Sequence, residues 1–315
     1  MKKLITMKNY LLLSIISMLF TVSVGCSADD FFNDDDYYEI TKDTTNNSTI
    51  FSYDAEVFAI IPNLGAFGNH SFQGFATFGD IAFGFYESGL CRSIDLKKKE
   101  IIAEFALPDG VNHKMNHAGV ACFSNEFLSE KDEFPLLYLS SYQERKCYVL
   151  NMTTKNAELI QTIITVDSLN DNKIQDVWAY EPDGDLLLLK MNYKNDNDSG
   201  YNWVSIKKPS INTNPNVMLD INKRIDEFHT HSTAKYNAGF VLNGYIYQLA
   251  GYTRTSRKLY ILDYINKNTI VDVTWNNPII NDQEQEQCTR YKDGILINYN
   301  KSDKLVYVKF NNWIF

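Results

Sequence analysis

The body of this chain is short of basic residues, of proline and of long apolar runs. Its 30 lysines and arginines are outnumbered by 39 aspartates and glutamates, for a formal net charge of −9. Apart from the turn Lys97-Lys98-Lys99, no three basic residues stand together. A nucleic-acid partner needs clustered cations to displace the counterions of phosphate, so that class of partner is excluded. With only 7 prolines and no extended helical periodicity, the pattern leaves strands as the main element. No GxSxG elbow, HExxH helix or glycine-rich phosphate loop occurs. Asp183-Gly184-Asp185 lacks the remaining ligands of a calcium loop. The 5 cysteines include no CxxC pair and no Cys/His zinc spacing, so no metal ligand set and no cofactor is indicated. Cys91, Cys122, Cys147 and Cys288 read equally well as disulfide partners or as buried thiols.

The first 25 residues read as a targeting segment. Lys2, Lys3 and Lys8 form a basic start, and Tyr10 to Val24 is uncharged and mostly apolar. That stretch is shorter than the roughly 20 residues a spanning helix needs, and it ends in small residues, as a signal peptide does. Ser23-Val24-Gly25-Cys26 resembles the lipobox of bacterial lipoproteins, with Ser23 where leucine is preferred. The resemblance implies acylation (palmitate) at Cys26 and a lipid anchor in a membrane. Asp29-Asp30 and Asp34-Asp35-Asp36 follow closely. They resemble the acidic export signal of Bacteroidota lipoproteins, which implies display on the outer membrane. The expected organisation is a signal peptide over 1–25, an acidic flexible tether over 26–49 and one folded domain over 50–315. Loss of the three N-terminal lysines takes the formal charge from −9 to −12.

The folded part repeats. A strand followed by a polar turn begins at Cys91 and returns at Cys147, Tyr201, Lys258 and Lys304. The differences between those positions are 56, 54, 57 and 46 residues. Gly79-Asp80, Asp183-Gly184, Asn243-Gly244 and Asp293-Gly294 keep step with it, each between two apolar runs, as tight hairpins do. The second unit has an inserted loop, Ser124 to Glu133, in that place. Repeats of this length, each one small sheet, predict an all-β propeller of five four-stranded blades. The fifth unit stops after its third strand, and Phe51 to Ile61 is a strand with no unit of its own. The N-terminal strand is therefore expected to close the last blade.

Aligning the five units brings Gln73, His117, Gln175-Asp176, His231 and Gln287 to about one position, where each innermost strand enters the axis. His70, His113, Asn116, His229 and Glu286 lie just before them, so all 5 histidines fall beside these strand starts. Histidine moves protons or binds ligands near neutral pH, and carboxylates nearby would help it. Gln73, His117, Asp176, His231 and Gln287 are the expected ligand contacts. No catalytic residue is assigned. Channel-lining polar groups that only hydrogen-bond one another give the same pattern. Among the aromatics, Trp178, Tyr245 and Tyr247 suit packing between blades, whereas Trp203 and Tyr252 suit core and ligand platform equally.

Phe72-Gln73-Gly74-Phe75 followed by Phe85-Tyr86-Glu87-Ser88-Gly89-Leu90 resembles the opening blade of the plant-type glutaminyl cyclotransferases, which are five-bladed propellers. The match spans about 25 residues, and the later acidic motifs of that family have no clear counterpart. The chain as a whole resembles the propeller lipoproteins of Bacteroidota. The leading expectation is a surface lipoprotein binding a small ligand, a glycan fragment or peptide, in its axial funnel. The alternatives are an enzyme (an aminoacyl cyclotransferase or a metal-assisted hydrolase or lyase) and a scaffold meeting an outer-membrane protein partner.

Overall fold

The computed structural model describes residues 37–40, 51–141, 144–168, 174–181, 186–192, 201–211, 214–230, 236–251, 257–275, 278–280 and 283–311. It is a five-bladed β-propeller, as the repeats predict. The chain begins with β1 (Tyr37–Ile40) and β2 (Phe51–Ile60), which are used last. The first blade is β3 (Ala66–Phe67), β4 (His70–Phe78), β5 (Ile81–Tyr86), β6 (Leu90–Asp95) and β7 (Glu100–Ala106). The second runs outward through β8 (Val120–Phe123), β9 (Leu137–Ser141), β10 (Lys146–Thr153) and β11 (Asn156–Val166). The third has β12 (Ile174–Glu181), β13 (Leu186–Asn192) and β14 (Tyr201–Lys207). From β14 the chain crosses to add β15 (Asn216–Asp220) in parallel to the outer edge of the second blade, against β11. It then returns to complete the third blade with β16 (Asp226–Thr230). The fourth is β17 (Tyr236–Leu242), β18 (Tyr245–Ala250), β19 (Lys258–Asp263) and β20 (Asn268–Thr274). The fifth is β21 (Gln285–Tyr291), β22 (Gly294–Tyr299) and β23 (Lys304–Phe310), closed by β2 against β23 and edged by β1.

Five apolar clusters make the core, and each lies between neighbouring blades. Side chains on a strand alternate between faces, so one parity packs on each neighbour. In β18, Ile246 and Ala250 join the cluster toward the third blade, while Tyr247 and Leu249 join that toward the fifth. Strands buried on both faces must be apolar at nearly every position, which explains runs such as Gly294–Tyr299, buried throughout. Each fully buried large side chain contributes roughly 2 kcal/mol of transfer free energy. Trp203 belongs to this core: it is fully buried and its ring stacks on Phe228 at 6.4 Å. Tyr247 likewise stacks on Phe240 at 4.8 Å. Tyr252 and the Trp178 side chain lie outside the described residues. Cys91, Cys147 and Cys288 are buried, Cys122 is half-buried, and none of the four is in a disulfide. Burial pushes the three buried thiols up in pKa, which leaves them packing groups and not nucleophiles.

The ring is clasped where its ends meet. The Asp303 carboxylate, at the start of β23, accepts from the Asn63 and Gly65 N–H groups at 3.1 and 2.8 Å. A Cβ at Gly65 would run into the Ser302 backbone, so only glycine permits this approach. From the first blade the buried Arg92 guanidinium donates to the carbonyls of Asn63 and Ala66, with Nε 2.6 Å from Glu104. Its cation lies over the Phe67 and Tyr86 rings at 4.7 and 5.1 Å.

Candidate functional site

The innermost strands form a closed ring in which β4 meets β8, β8 meets β12, β12 meets β17, β17 meets β21 and β21 meets β4. All five start at one mouth of the axis, here the upper, and end at the other. Four of them bulge near the upper mouth: between Phe72 and Phe75, Ile174 and Asp176, Tyr236 and Gly239, and Gln285 and Gln287. A bulge re-aims side chains and shifts the register by one. Below it the first paired residues are Phe75, Asp176, Gly239 and Gln287. Asp176 and Gln287 are thus equivalent, whereas Gln73 sits above them inside its bulge. His117 lies three residues before β8. The aligned residues therefore occupy successive heights and not one ring.

Gln287 crosses the axis. Its Oε1 accepts from the Phe75 N–H at 2.7 Å and the Ala121 N–H at 3.1 Å. Its Nε2 donates to the carbonyls of Ala121 at 2.6 Å and Gly239 at 3.4 Å. A glutamine amide has two donors and two acceptor positions, and all four are used. The residue is fully buried, so it has nothing left to offer a ligand and serves as the plug of the channel. Asn298, behind the bulge on β22, accepts from the Gln287 N–H at 2.9 Å and donates to the Gln73 carbonyl at 3.0 Å. Ser140 Oγ caps the Val120 N–H in the same way at 3.1 Å. Sequence reasoning missed Asn298 because its role depends on the bulge across the hairpin. It also missed Gln248, the fully buried partner of Gly239, whose amide has no hydrogen bond among the described residues.

Above the plug, the upper mouth is acidic. Burial first, then the like charges of Glu284 and Glu87, push the Glu286 carboxyl well above its ordinary pKa, against a hydrogen bond from Asn300. Burial also raises Glu284, opposed by the Asn300 hydrogen bond and the fields of Arg257 and His117. Asn300 Nδ2 donates to Glu284 Oε2 at 3.4 Å. Glu87 stands in the turn after β5, its Oε2 accepting from the Ser71 N–H at 3.3 Å. That turn interlocks with the loop carrying His117, since the Ser88 N–H donates to the Asn116 carbonyl at 2.8 Å. The Ala118 carbonyl packs over Gly74, where a Cβ would come within 2.7 Å. This close approach sets the His117 loop beside Gln73. Gln73 is 7% exposed, and its side-chain amide makes no hydrogen bond among the described residues.

The structure thus gathers His117, Glu284, Glu286 and Glu87 around one mouth, and places Gln73 there by its backbone and the adjoining loop. Glu284 and Glu87 escaped the sequence argument, although the run Glu284-Gln285-Glu286-Gln287 ahead of a strand was a legible sign. His229 was expected beside an innermost strand. It lies on β16, the outer strand of the third blade, opposite Asn202. His231 and the Asp176 side chain lie outside the described residues, as does Cys26. His70 opens β4 opposite Phe67. His113 is 3.2 Å from the Tyr148 hydroxyl and 3.3 Å from the Glu144 carboxylate, on the second blade. No group of three or more His, Cys, Asp or Glu able to hold a metal occurs among the described residues.

No protein-family model matches the chain, and no curated protein matches it in sequence. Among solved structures it is similar to the glutaminyl cyclase of Myxococcus xanthus, at 12% identity over 81% of this chain and 96% of that one, with a TM-score of 0.48. It is also similar to Raptor of Chaetomium thermophilum (10% identity, 76% and 20% covered, TM-score 0.38). A third is BamB of Moraxella catarrhalis (10%, 74% and 62%, TM-score 0.30). Likeness at this level carries no argument about activity.

Two outcomes follow from the axis. Gln287→Leu leaves two N–H groups and two carbonyls without their amide partner and is expected to cost about 4 kcal/mol, measured by denaturant unfolding. The native state also keeps protons on Glu284 and Glu286 that the unfolded chain has released, so stability falls as pH rises above the ordinary carboxylate value of 4.5. Glu286→Gln is expected to flatten that fall, making the variant more stable than the parent at pH 8. Equal pH slopes in the two proteins would contradict the assignment.

Proposed function

We propose that this protein is a lipoprotein, anchored through Cys26 at the outer membrane, whose propeller binds a small ligand in the upper axial mouth. The observation that carries the binding reading is the acid-rich mouth around the half-buried Glu286, with an unused amide at Gln73 beside it. Carboxyls held in the protonated direction by burial and by one another gain most from an incoming cation, which restores their charged form. The ligand is therefore a glycan fragment or peptide that brings an ammonium group, with hydroxyl or amide groups for Gln73 and His117. The acidic tether and lipobox-like sequence at Ser23 to Cys26 support the location.

A second reading has its own support. A carboxyl whose pKa is raised by burial is suited to give and take protons near neutral pH, so Glu286 is the candidate general acid–base group if the ligand is turned over.

Thermal melts against amino sugars, neutral sugars and short peptides test the binding. A ligand at 100 times its Kd adds about 2.7 kcal/mol of stability. The expected result is a shift from amine-bearing compounds alone, lost in Glu286→Gln and reduced in His117→Ala. A shift that survives both substitutions moves the site elsewhere. For the anchor, radiolabelled palmitate fed to expressing cells is expected to label the parent protein and not Cys26→Ala; label in both would place the acyl chain on another residue.

A further inference from the structure

The chain enters the propeller on the side of the lower mouth, where the innermost strands end. β23 runs down the fifth blade as β21 does, and β2, antiparallel to it, begins at the lower side with Phe51. β1 pairs with this lower part of β2, Tyr37 opposite Asp54 and Ile40 opposite Phe51. Tyr37 stands 11 residues after Cys26. Such a span reaches at most about 40 Å, even fully extended. A domain of this size has a radius of gyration of about 18 Å. An acyl chain on Cys26 therefore keeps the propeller within about its own width of the bilayer.

The same side carries the inserted loop of the second blade, which leads from the lower end of β8 to β9. That loop is pinned along its length. The Ser124 N–H donates to the Leu136 carbonyl at 2.8 Å, and the Leu136 N–H to the Glu126 carbonyl at 2.7 Å. The buried Lys208 ammonium, just after β14, holds the Glu126 carboxylate at 2.6 Å. The Asp132 carboxylate accepts from the Ser129 N–H at 2.6 Å and from Asn151 Nδ2 at 3.3 Å. Between these fixed points Phe127 and Leu128 are nonetheless 45% and 43% exposed. The Phe127 ring lies 6.2 Å from that of Phe78, itself exposed at the end of β4. Ile265, packed on the lower hairpin turn at Gly244, adds a further exposed apolar side chain. Large apolar side chains held outward by a pinned loop mark a contact surface.

We propose that the lower side of the propeller lies on the bilayer that holds the anchor, with Phe127, Leu128 and Phe78 entering its headgroup region. The inference rests on the anchor at Cys26 proposed above and is independent of the ligand. Apolar side chains gain in proportion to the area they remove from water. No charge is required of the surface, so zwitterionic lipid suffices. The acidic upper mouth then faces away from the membrane.

The full-length protein, purified in detergent from expressing cells and reconstituted with phosphatidylcholine vesicles, tests this with tryptophans added as reporters. Bromine on the lipid acyl chains quenches a tryptophan that touches the membrane. After subtraction of the parent's signal, Phe127→Trp and Leu128→Trp are each expected to lose about half of the added fluorescence in brominated vesicles. Met115→Trp, exposed on the loop beside the upper mouth, is expected to lose none. Palmitate labelling of the same preparation reports on the anchor separately. An unlabelled protein overturns the anchor, and this inference with it. In the labelled protein, the inference alone is overturned if Phe127→Trp and Leu128→Trp are unquenched, as on a surface kept for a protein partner or a second copy. It is equally overturned if Met115→Trp is quenched as strongly as they are.

Discussion

Five small sheets arranged in a ring leave five strand edges facing one another across a narrow axis. Each edge carries backbone N–H and C=O groups that no sixth sheet will pair, and such groups are costly when buried away from water. The Gln287 amide answers that constraint for three blades other than its own, at Phe75, Ala121 and Gly239. An amide side chain offers the same donor and acceptor pair as a peptide unit, so one residue substitutes for a short piece of strand. Asn298 supports it from behind and reaches Gln73 as well. The blades owe most of their stability to the apolar clusters between them. Those clusters only press neighbouring sheets together, whereas Gln287 ties strands across the axis.

The division of labour explains which parts of the fold were legible. Blade number was readable because every blade repeats an apolar strand before a polar turn at similar spacing, and four of the five add a two-residue hairpin turn. Ring closure was readable because β2 had no partner within its own unit and the fifth unit lacked an outer strand. The exchange at the third blade was not readable. The segment Asn216–Asp220 pairs with β11 of the second blade, and Asp226–Thr230 takes the outer place in the third. Both are short polar-edged strands. Which sheet each joins is decided by contacts between distant parts of the chain, and local pattern contains no trace of that choice. His229 was misplaced for this reason.

The site was legible in composition more than in geometry. Polar residues at the starts of the innermost strands do mark the axis. Spacing, however, treats strands as regular, and four of the five innermost strands are bulged. A bulge moves one residue out of register, so Gln73 and Gln287, aligned in sequence, lie at different heights and do different work. Glu286 sits in the bulge above Gln287, and that displacement brings it under the influence of Glu284 and Glu87. Acid–amide alternation over 284–287 reflects the same geometry, with acids directed to the mouth and amides into the protein. Gln285 fits this rule, since its buried Nε2 donates to the carbonyls of Ala250 and Lys258.

The plug also separates the two mouths of the axis. An innermost strand of seven residues spans about 23 Å at roughly 3.3 Å per residue. Salt at physiological strength screens exposed charges beyond about 8 Å. The carboxylates of the upper mouth therefore have little hold on a solute at the lower one through solvent. Through the protein they are separated by the saturated Gln287 amide and by apolar strand. The lower mouth, walled by Phe78, Phe123 and Phe240, can then differ in chemistry from the acidic upper one. In an open, water-filled channel one solute would sample both ends; the saturated Gln287 amide keeps them apart.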